Sequence, residues 1–224
     1  MLEGGRFILA SSRLFEIGAD IYTAYTDNAA WRASCAALAY HLPPSAQRVL
    51  DLGCGPGTTI AALAAVLPAT EWIGGDIARR MLGQARRRLA RRGVAAALLR
   101  CNALALPLAA ESVDGVVGHS FLYLVADEAQ VLRAAYRVLR PGGRAAFMEP
   151  AEGYVSPVAV WRVSADPRFL FSIPPWRVMS RRQRRYSAES FTAALHGAGF
   201  REVRCTPVLG GLGIIGSGRR VAGG

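Results

Sequence analysis

The 224-residue sequence predicts an α/β fold: a doubly wound, mostly parallel seven-stranded sheet closed by an antiparallel C-terminal hairpin. Three observations carry this. Short apolar runs alternate with amphipathic segments along most of the chain, the pattern of a parallel sheet covered by helices on both faces. The first of these runs, Val49-Leu50-Asp51-Leu52, passes directly into the glycine-rich turn Gly53-Cys54-Gly55-Pro56-Gly57. The last two runs are joined by Gly210-Gly211 with no helix between them, so they pair as a hairpin.

The elements follow in order. Strands are expected near 48–53, 71–77, 95–102, 113–120, 143–149, 201–207 and 212–219, and helices near 58–67, 79–92, 127–139 and 187–198. The 79–92 helix gathers Met81, Leu82, Ala85 and Leu89 on one face and arginines elsewhere. Arg91 and Arg92 fall in its last turn before Gly93, where cations suit the helix dipole and glycine the C-cap. Two segments stand outside the alternation. Residues 7–42 read as a helical cap, with Tyr22, Tyr25 and Trp31, stopped by Pro43-Pro44. Residues 151–186 form an insertion rich in proline, aromatics and arginine, and a stretch that long between elements tends to be functional. The whole of 1–224 reads as one domain.

The chemistry concentrates at the carboxyl ends of the first strands, where open α/β sheets bind ligands. Gly53, Gly55 and Gly57 let bare backbone approach a ligand. Asp76 ends the second apolar run, where its carboxylate meets a ribose diol. A dinucleotide fingerprint would require glycine at position 58, which is Thr58 here. Four motifs, Asp51-x-Gly53-x-Gly55-x-Gly57, Gly75-Asp76-Ile77 through Leu82, Asn102-Ala103 through Pro107, and Val138-Leu139-Arg140-Pro141-Gly142-Gly143, occur in one order. Together they resemble the class I S-adenosylmethionine (SAM)-dependent methyltransferases, over about residues 45–220, and within them the small-molecule, quinone-methyltransferase-like branch.

The resemblance implies strand order 3-2-1-4-5-7-6 and SAM as cofactor. It places Asp51, Gly53, Cys54, Gly55, Gly57 and Thr58 at the methionine part, Asp76 on the ribose, Ile77 and Met81 against the nucleoside, and Asn102 and Ala103 at the adenine. Asn102 departs from the aspartate common at its position; its amide oxygen still accepts from an amino group. His119 follows the fourth strand at the same edge, as a cofactor contact and as the candidate general base, since an ordinary imidazole titrates near neutral pH. An ordinary hydrogen-bonded core histidine is the competing reading. Acceptor contacts are expected from Tyr22, Tyr25, Tyr123, Glu149, Trp161 and Trp176.

Composition narrows the partners. All 27 basic residues are arginine, and the net charge is +11. No separate basic domain or tail points to nucleic acid. The four cysteines show no C-x-x-C spacing, so neither a zinc site nor a disulfide framework is indicated. No uncharged apolar run reaches the ~18–20 residues of a membrane span. The apolar N-terminal stretch is too short for a signal peptide, and a cytoplasmic location is the expectation. The arginine–aromatic mixture of 151–186 suits a lid over a small or lipophilic acceptor such as a quinone, lipid or secondary metabolite, and equally suits contact with an anionic membrane surface. The alternatives are another group transfer from SAM on the same fold, a SAM-binding docking module without turnover, and a nicotinamide oxidoreductase. Thr58 and the terminal hairpin disfavour the last.

Overall fold

A computed structural model describes residues 18, 20, 21 and 23–221. Tyr22 lies outside the described residues. Seven strands form one sheet: β1 (Arg48–Leu52), β2 (Glu71–Asp76), β3 (Ala96–Arg100), β4 (Val113–His119), β5 (Leu139–Pro150), β6 (Arg201–Val208) and β7 (Gly213–Arg219). Their order across the sheet is β3-β2-β1-β4-β5-β7-β6. β1 pairs parallel with β2 and β4, and β7 runs antiparallel between β5 and β6. Val49, Leu50 and Leu52 are fully buried, as a central parallel strand covered on both faces requires.

Helices α1 (Ala29–Ala37), α2 (Thr58–Ala64), α3 (Arg79–Ala90), α4 (Glu128–Val138), α5 (Pro157–Val163), α6 (Pro167–Gln183) and α7 (Ala188–Gly197) complete the order. The β1–β2 and β4–β5 crossovers step in opposite directions along the sheet. Right-handed connections therefore place α2 and α4 on opposite faces. α1 packs on α2 and α2 on α3, while α4 packs on α7.

Register sets up the site. Leu52 of β1 lies opposite both Gly75 of β2 and Gly118 of β4. One residue further on, Gly53, Asp76 and His119 therefore emerge side by side at the carboxyl edge.

Two elements differ from the sequence reading. β5 begins at Leu139 rather than at 143. Its Pro141-Gly142-Gly143 turn is held to the end of β7, with Gly142 donating to the Arg220 carbonyl and Arg220 to that of Gly143. The insertion is mostly helical, and α6 runs straight through Pro174 and Pro175. Both prolines face solvent, where water satisfies the carbonyls they leave unpaired. Side-chain caps start the helices around the site: Asn28 accepts from Trp31 N–H, Ser156 from Ala159 N–H and Asp166 from Arg168 N–H.

Candidate active site

The glycine turn after β1 is folded onto β2 by its own backbone. Gly53 and Cys54 N–H both donate to the Gly75 carbonyl, at 2.8 and 3.1 Å, and Gly57 N–H donates to the Cys54 carbonyl at 2.9 Å. Gly55 N–H donates to Asp76 Oδ2 at 2.8 Å, while Ala78 N–H donates to Oδ1 at 2.8 Å. Proline at 56 has no N–H to offer. The N–H groups of Gly53, Cys54, Gly55 and Gly57 are thus consumed within the protein, and a cleft above the turn meets bare Cα surface and the Asp76 carboxylate. A phosphate needs N–H donors. A ligand with an ammonium and a sulfonium needs acceptors, which Asp76 at the edge of the turn can offer.

Gly53 is required twice over. Its φ is +66°, and a Cβ there would lie 2.6 Å from the Phe121 ring. Gly57 serves the fold rather than the opening, since a Cβ there would press on Ala85 of α3 at 3.1 Å.

A cleft of about 920 Å³, counting its open mouth, lies over this edge. Leu52, Gly53, Gly55, Gly75, Asp76, Ile77, Ala78, Met81, Cys101, Asn102, Ala103, Leu104, His119, Ser120, Phe121, Leu124 and Val125 line it. A second hollow of about 400 Å³ shares Gly53, Gly55 and His119 with the first and adds Thr26, Trp31, Cys35, Cys54, Pro56, Thr58 and Thr59. Asn102 bends its side-chain oxygen back to accept from Leu104 N–H at 3.0 Å, fixing the turn. An amide oxygen has a second lone pair, so this bond does not exhaust it.

Asp51 is fully buried beneath the turn, and neither carboxylate oxygen has a hydrogen-bond partner. Desolvation, reinforced by the charge of Asp76, raises its pKa well above the usual carboxylate range. An orphaned buried acid beneath this turn favours a cationic ligand end above it, although Asp51 itself lines neither hollow.

His119 lines both hollows. Burial pushes its pKa down to about 3, so the imidazole is neutral at ordinary pH and a poor proton acceptor. Its Nε2 lies 2.8 Å from Ser34 Oγ, and Trp31 meets the ring edge-on at 5.6 Å.

Above this point the cap and the insertion are joined by aromatic rings. Trp31 Nε1 donates to Ser172 Oγ at 2.7 Å, and Trp176 Nε1 donates to Ser120 Oγ at 2.7 Å. The two indoles meet edge-to-face at 4.9 Å between centroids, with Phe169 at 6.2 Å from Trp31. Trp176 reaches the cleft wall through Ser120 and lines neither hollow, and the other acceptor candidates fall elsewhere. Trp161 is 61% exposed on α5, and Tyr25 is also exposed. Tyr123 is buried, its hydroxyl 3.7 Å from Met179 Sδ. Glu149 is buried behind the wall, accepting from Phe121, Leu122 and Tyr123 N–H at 3.0, 2.8 and 3.2 Å. Burial raises its pKa to about 8. His41 and His196 contact Ser217 Oγ and the Phe200 carbonyl. No group of three or more His, Cys, Asp or Glu side chains among the described residues is placed to hold a metal ion.

Sequence reasoning missed Phe121, Leu124, Val125, Ser34, Ser120 and Ser172. Phe121 had a faint signal, a bulky residue just past the fourth strand beside a glycine that must stay bare. The serines had none.

Fold and site together define a doubly wound α/β protein whose ligand cleft opens at the carboxyl edge of its parallel strands. Known proteins narrow the class. A methyltransferase-domain family model matches residues 49–143. The chain is 32% identical over 187 residues to the ubiquinone/menaquinone biosynthesis C-methyltransferase UbiE of Desulfotalea psychrophila, covering 76% of this chain and 73% of that one. It is 36% identical over 138 residues to the demethylmenaquinone methyltransferase of Thermus thermophilus, covering 62% of this chain and 58% of the relative. The fold is shared with the [4+2]-cyclase SpnF, at TM-score 0.74, 17% identity and 95% and 96% of the two chains. It is shared as well with a SAM-dependent methyltransferase from Aquifex aeolicus, at TM-score 0.63, 18% identity and 95% and 98% coverage. The chain belongs to the class I SAM-dependent methyltransferases that act on small molecules. Its cofactor is SAM. Among the described residues no helix is long and apolar enough to cross a membrane.

Proposed function

We propose that the chain is one domain that methylates a small lipophilic aromatic acceptor of the quinol type, held where the two hollows meet. The supporting observation is the wall at that junction. Trp31, Phe121, Leu124 and Val125 surround it with apolar surface, and His119 adds a neutral hydrogen-bonding ring. Such a wall favours a flat, uncharged acceptor over a charged one. The relatives named for menaquinone biosynthesis agree with this reading.

The residues divide the work. Asp76 takes the ribose diol, where charge-assisted bonds contribute roughly 1.5–3 kcal/mol each. Ile77, Met81 and Ala103 flank the adenine, with Asn102 at its edge. Gly53, Cys54 and Gly55 offer bare backbone along the methionine part, Thr58 lies at its far side, and Asp51 lies beneath the ammonium. When bound, SAM supplies an electrophilic methyl carbon with a ready leaving group. The protein's share is alignment, which can contribute ~7–11 kcal/mol. His119 positions and polarises an acceptor hydroxyl, and the proton released on methyl transfer passes to solvent through the open mouth of the cleft. The cap and the inner side of α6 shield the acceptor, Trp31 directly and Trp176 through its hydrogen bond to Ser120. Peripheral contact with an anionic membrane belongs to the same reading, because a lipophilic acceptor resides in lipid.

The test uses purified protein, methyl-labelled SAM and a short-chain demethylated quinol, beside a catechol, a fatty acid and an amine of similar size. Label is expected in the quinol at a kcat/KM at least ~10-fold above the others, about 1.4 kcal/mol of discrimination. Preferential labelling of the amine or the fatty acid would overturn the acceptor class.

A further inference from the structure

Val160 and Val163 of the insertion are half-buried against the core, but both α5 and α6 also carry apolar side chains that no other described part of the protein covers. α5 has the sequence Pro-Val-Ala-Val-Trp-Arg-Val, yet none of its residues is buried. Val158 and Trp161, one helical turn apart, are both more than half exposed, and Tyr154 just before the helix is 84% exposed. α6 is apolar on two sides. Its inner side packs Phe169, Ile173 and Trp176, while Phe171 (69% exposed), Pro174, Pro175 and Val178 form a stripe along the outer side. A surface helix ordinarily keeps a single apolar stripe, directed at the core.

Charge frames this face. Residues 151–186 hold seven arginines against Glu152 and Asp166, a net charge of +5. Three of the arginines are used internally. Arg184 pairs with Glu128, Arg177 donates to the Ala151 and Gly153 carbonyls, and Arg185 donates to Ser180 and the Arg177 carbonyl. Arg162, Arg168, Arg181 and Arg182 are exposed, with no acidic partner among the described residues. Arg168 and Arg182 lie at either end of the Phe171 stripe by helical spacing. Long cationic side chains flanking exposed aromatics suit an interface with apolar tails below and anionic headgroups at its level. The same helix backs the cleft, since α6 packs on the Leu122–Leu124 turn and Leu124 lines the cleft wall.

We propose that the outer faces of α5 and α6 dock on an anionic lipid bilayer. Tyr154, Val158, Trp161 and Phe171 enter the headgroup region, and Arg162, Arg168, Arg181 and Arg182 engage lipid phosphates. Docking brings the cleft wall to the surface in which a lipophilic acceptor resides, so the inference rests on the acceptor reading for its purpose.

Tryptophan fluorescence provides the test. Trp31, Trp72 and Trp176 are buried, and Trp161 is the exposed tryptophan. The full chain is mixed with vesicles of phosphatidylcholine alone or of phosphatidylcholine with phosphatidylglycerol. Acrylamide quenching of the exposed tryptophan is expected to fall at least ~3-fold on the anionic vesicles only, and to recover as salt rises, because surface attraction is screened within ~8–10 Å. In Trp161→Phe the change in quenching should disappear while sedimentation with anionic vesicles persists. Phe171→Ser with Trp161→Ser, and separately Arg168→Gln with Arg181→Gln and Arg182→Gln, should each reduce sedimentation at least tenfold. SAM titration and turnover of a short-chain soluble acceptor, measured on the same samples, should stay within about twofold of the parent. Absence of sedimentation with anionic vesicles, equal binding to neutral ones, or self-association through this face in place of vesicle binding would each overturn the proposal. Failure of the acceptor reading would appear instead in the soluble turnover, with vesicle binding intact.

Discussion

The floor of the site and its roof are built by different means. The floor is backbone: the glycine turn, the ends of β2 and β4, and one carboxylate that ties Gly55 to Ala78. Its shape follows from strand register and from glycines at positive φ, which only a few residue types tolerate. The roof is side chain: indoles, a phenyl ring and serine hydroxyls from α1, α6 and the end of β4. Apart from Ser120, held at φ +58°, and the two prolines of α6, its shape comes from side chains, which can be exchanged in principle. A floor set by backbone fixes one cofactor, whereas a roof set by side chains can be recut for many acceptors.

The comparison is broken most severely through the roof. Trp31→Ala and Trp176→Ala each delete a buried indole that is hydrogen-bonded to a serine, and each should cost ~3–5 kcal/mol of folding stability. In whatever fraction stays folded, the acceptor KM should rise or kcat fall, while SAM affinity moves by less than about threefold. Denaturant melts paired with calorimetric titration check this. Loss of SAM affinity in both variants would make roof and floor a single unit.

Gly53→Ala attacks the floor. The new Cβ would meet the Phe121 ring at 2.6 Å in a left-handed backbone, which costs about 2–4 kcal/mol and should weaken SAM binding at least ~100-fold. Gly93→Ala is the control: its φ is +65°, but nothing lies within 4 Å of its Cβ, so it should cost only about 1 kcal/mol and leave SAM binding unchanged. Equal losses in the two variants would reduce the effect of Gly53 to backbone strain.

Glu149 connects floor to roof, since it holds Phe121 N–H from behind. Burial raises its pKa from the ordinary 4.5 to about 8. Across that window the folded protein keeps a proton that the unfolded chain releases. Stability should therefore fall as pH rises from about 5 to about 8, by at most ~1.4 kcal/mol per pH unit for this one group. Asp51 shifts in the same direction and adds to the slope. Glu149→Gln should remove one proton's share of the slope, with a pH-independent loss from the unmet Tyr123 N–H. Denaturant midpoints measured across the window test the sign. An unchanged slope would assign the whole dependence to Asp51 and other groups.

The floor was legible because its rules are local and one-dimensional. Glycine spacing, an acid at the end of an apolar run and a hairpin lacking a helix are all visible in a string, and strand order came with the family resemblance. The roof was not. The insertion offered Trp161 and Trp176 on equal terms, in the same segment with similar neighbours. Only the packing of α6 turns Trp176 inward to Ser120, whereas α5 buries none of its residues. The proline-rich insertion was not among the expected helices, yet Pro174 and Pro175 sit on the solvent-facing side of α6 and interrupt little. Ser34, Ser120 and Ser172 matter through partners 85, 56 and 141 positions away, a distance at which no local pattern operates.

The smallest expected effect is the sharpest contrast. Trp161→Ala removes the same side chain as Trp176→Ala, from a position 15 residues earlier in the same insertion. Trp161 is 61% exposed, so truncation leaves no cavity and no unmet donor shielded from water. Folding stability should change by no more than ~0.5 kcal/mol, as for surface substitutions in general. SAM affinity, and kcat and KM for a soluble acceptor, should match the parent within about twofold. A stability loss of several kcal/mol would mean that Trp161 itself is packed in solution and belongs to the roof. A rise in KM for the soluble acceptor with stability intact would instead bring Trp161 to the acceptor itself, and the boundary between roof and outer surface would move from α6 to α5.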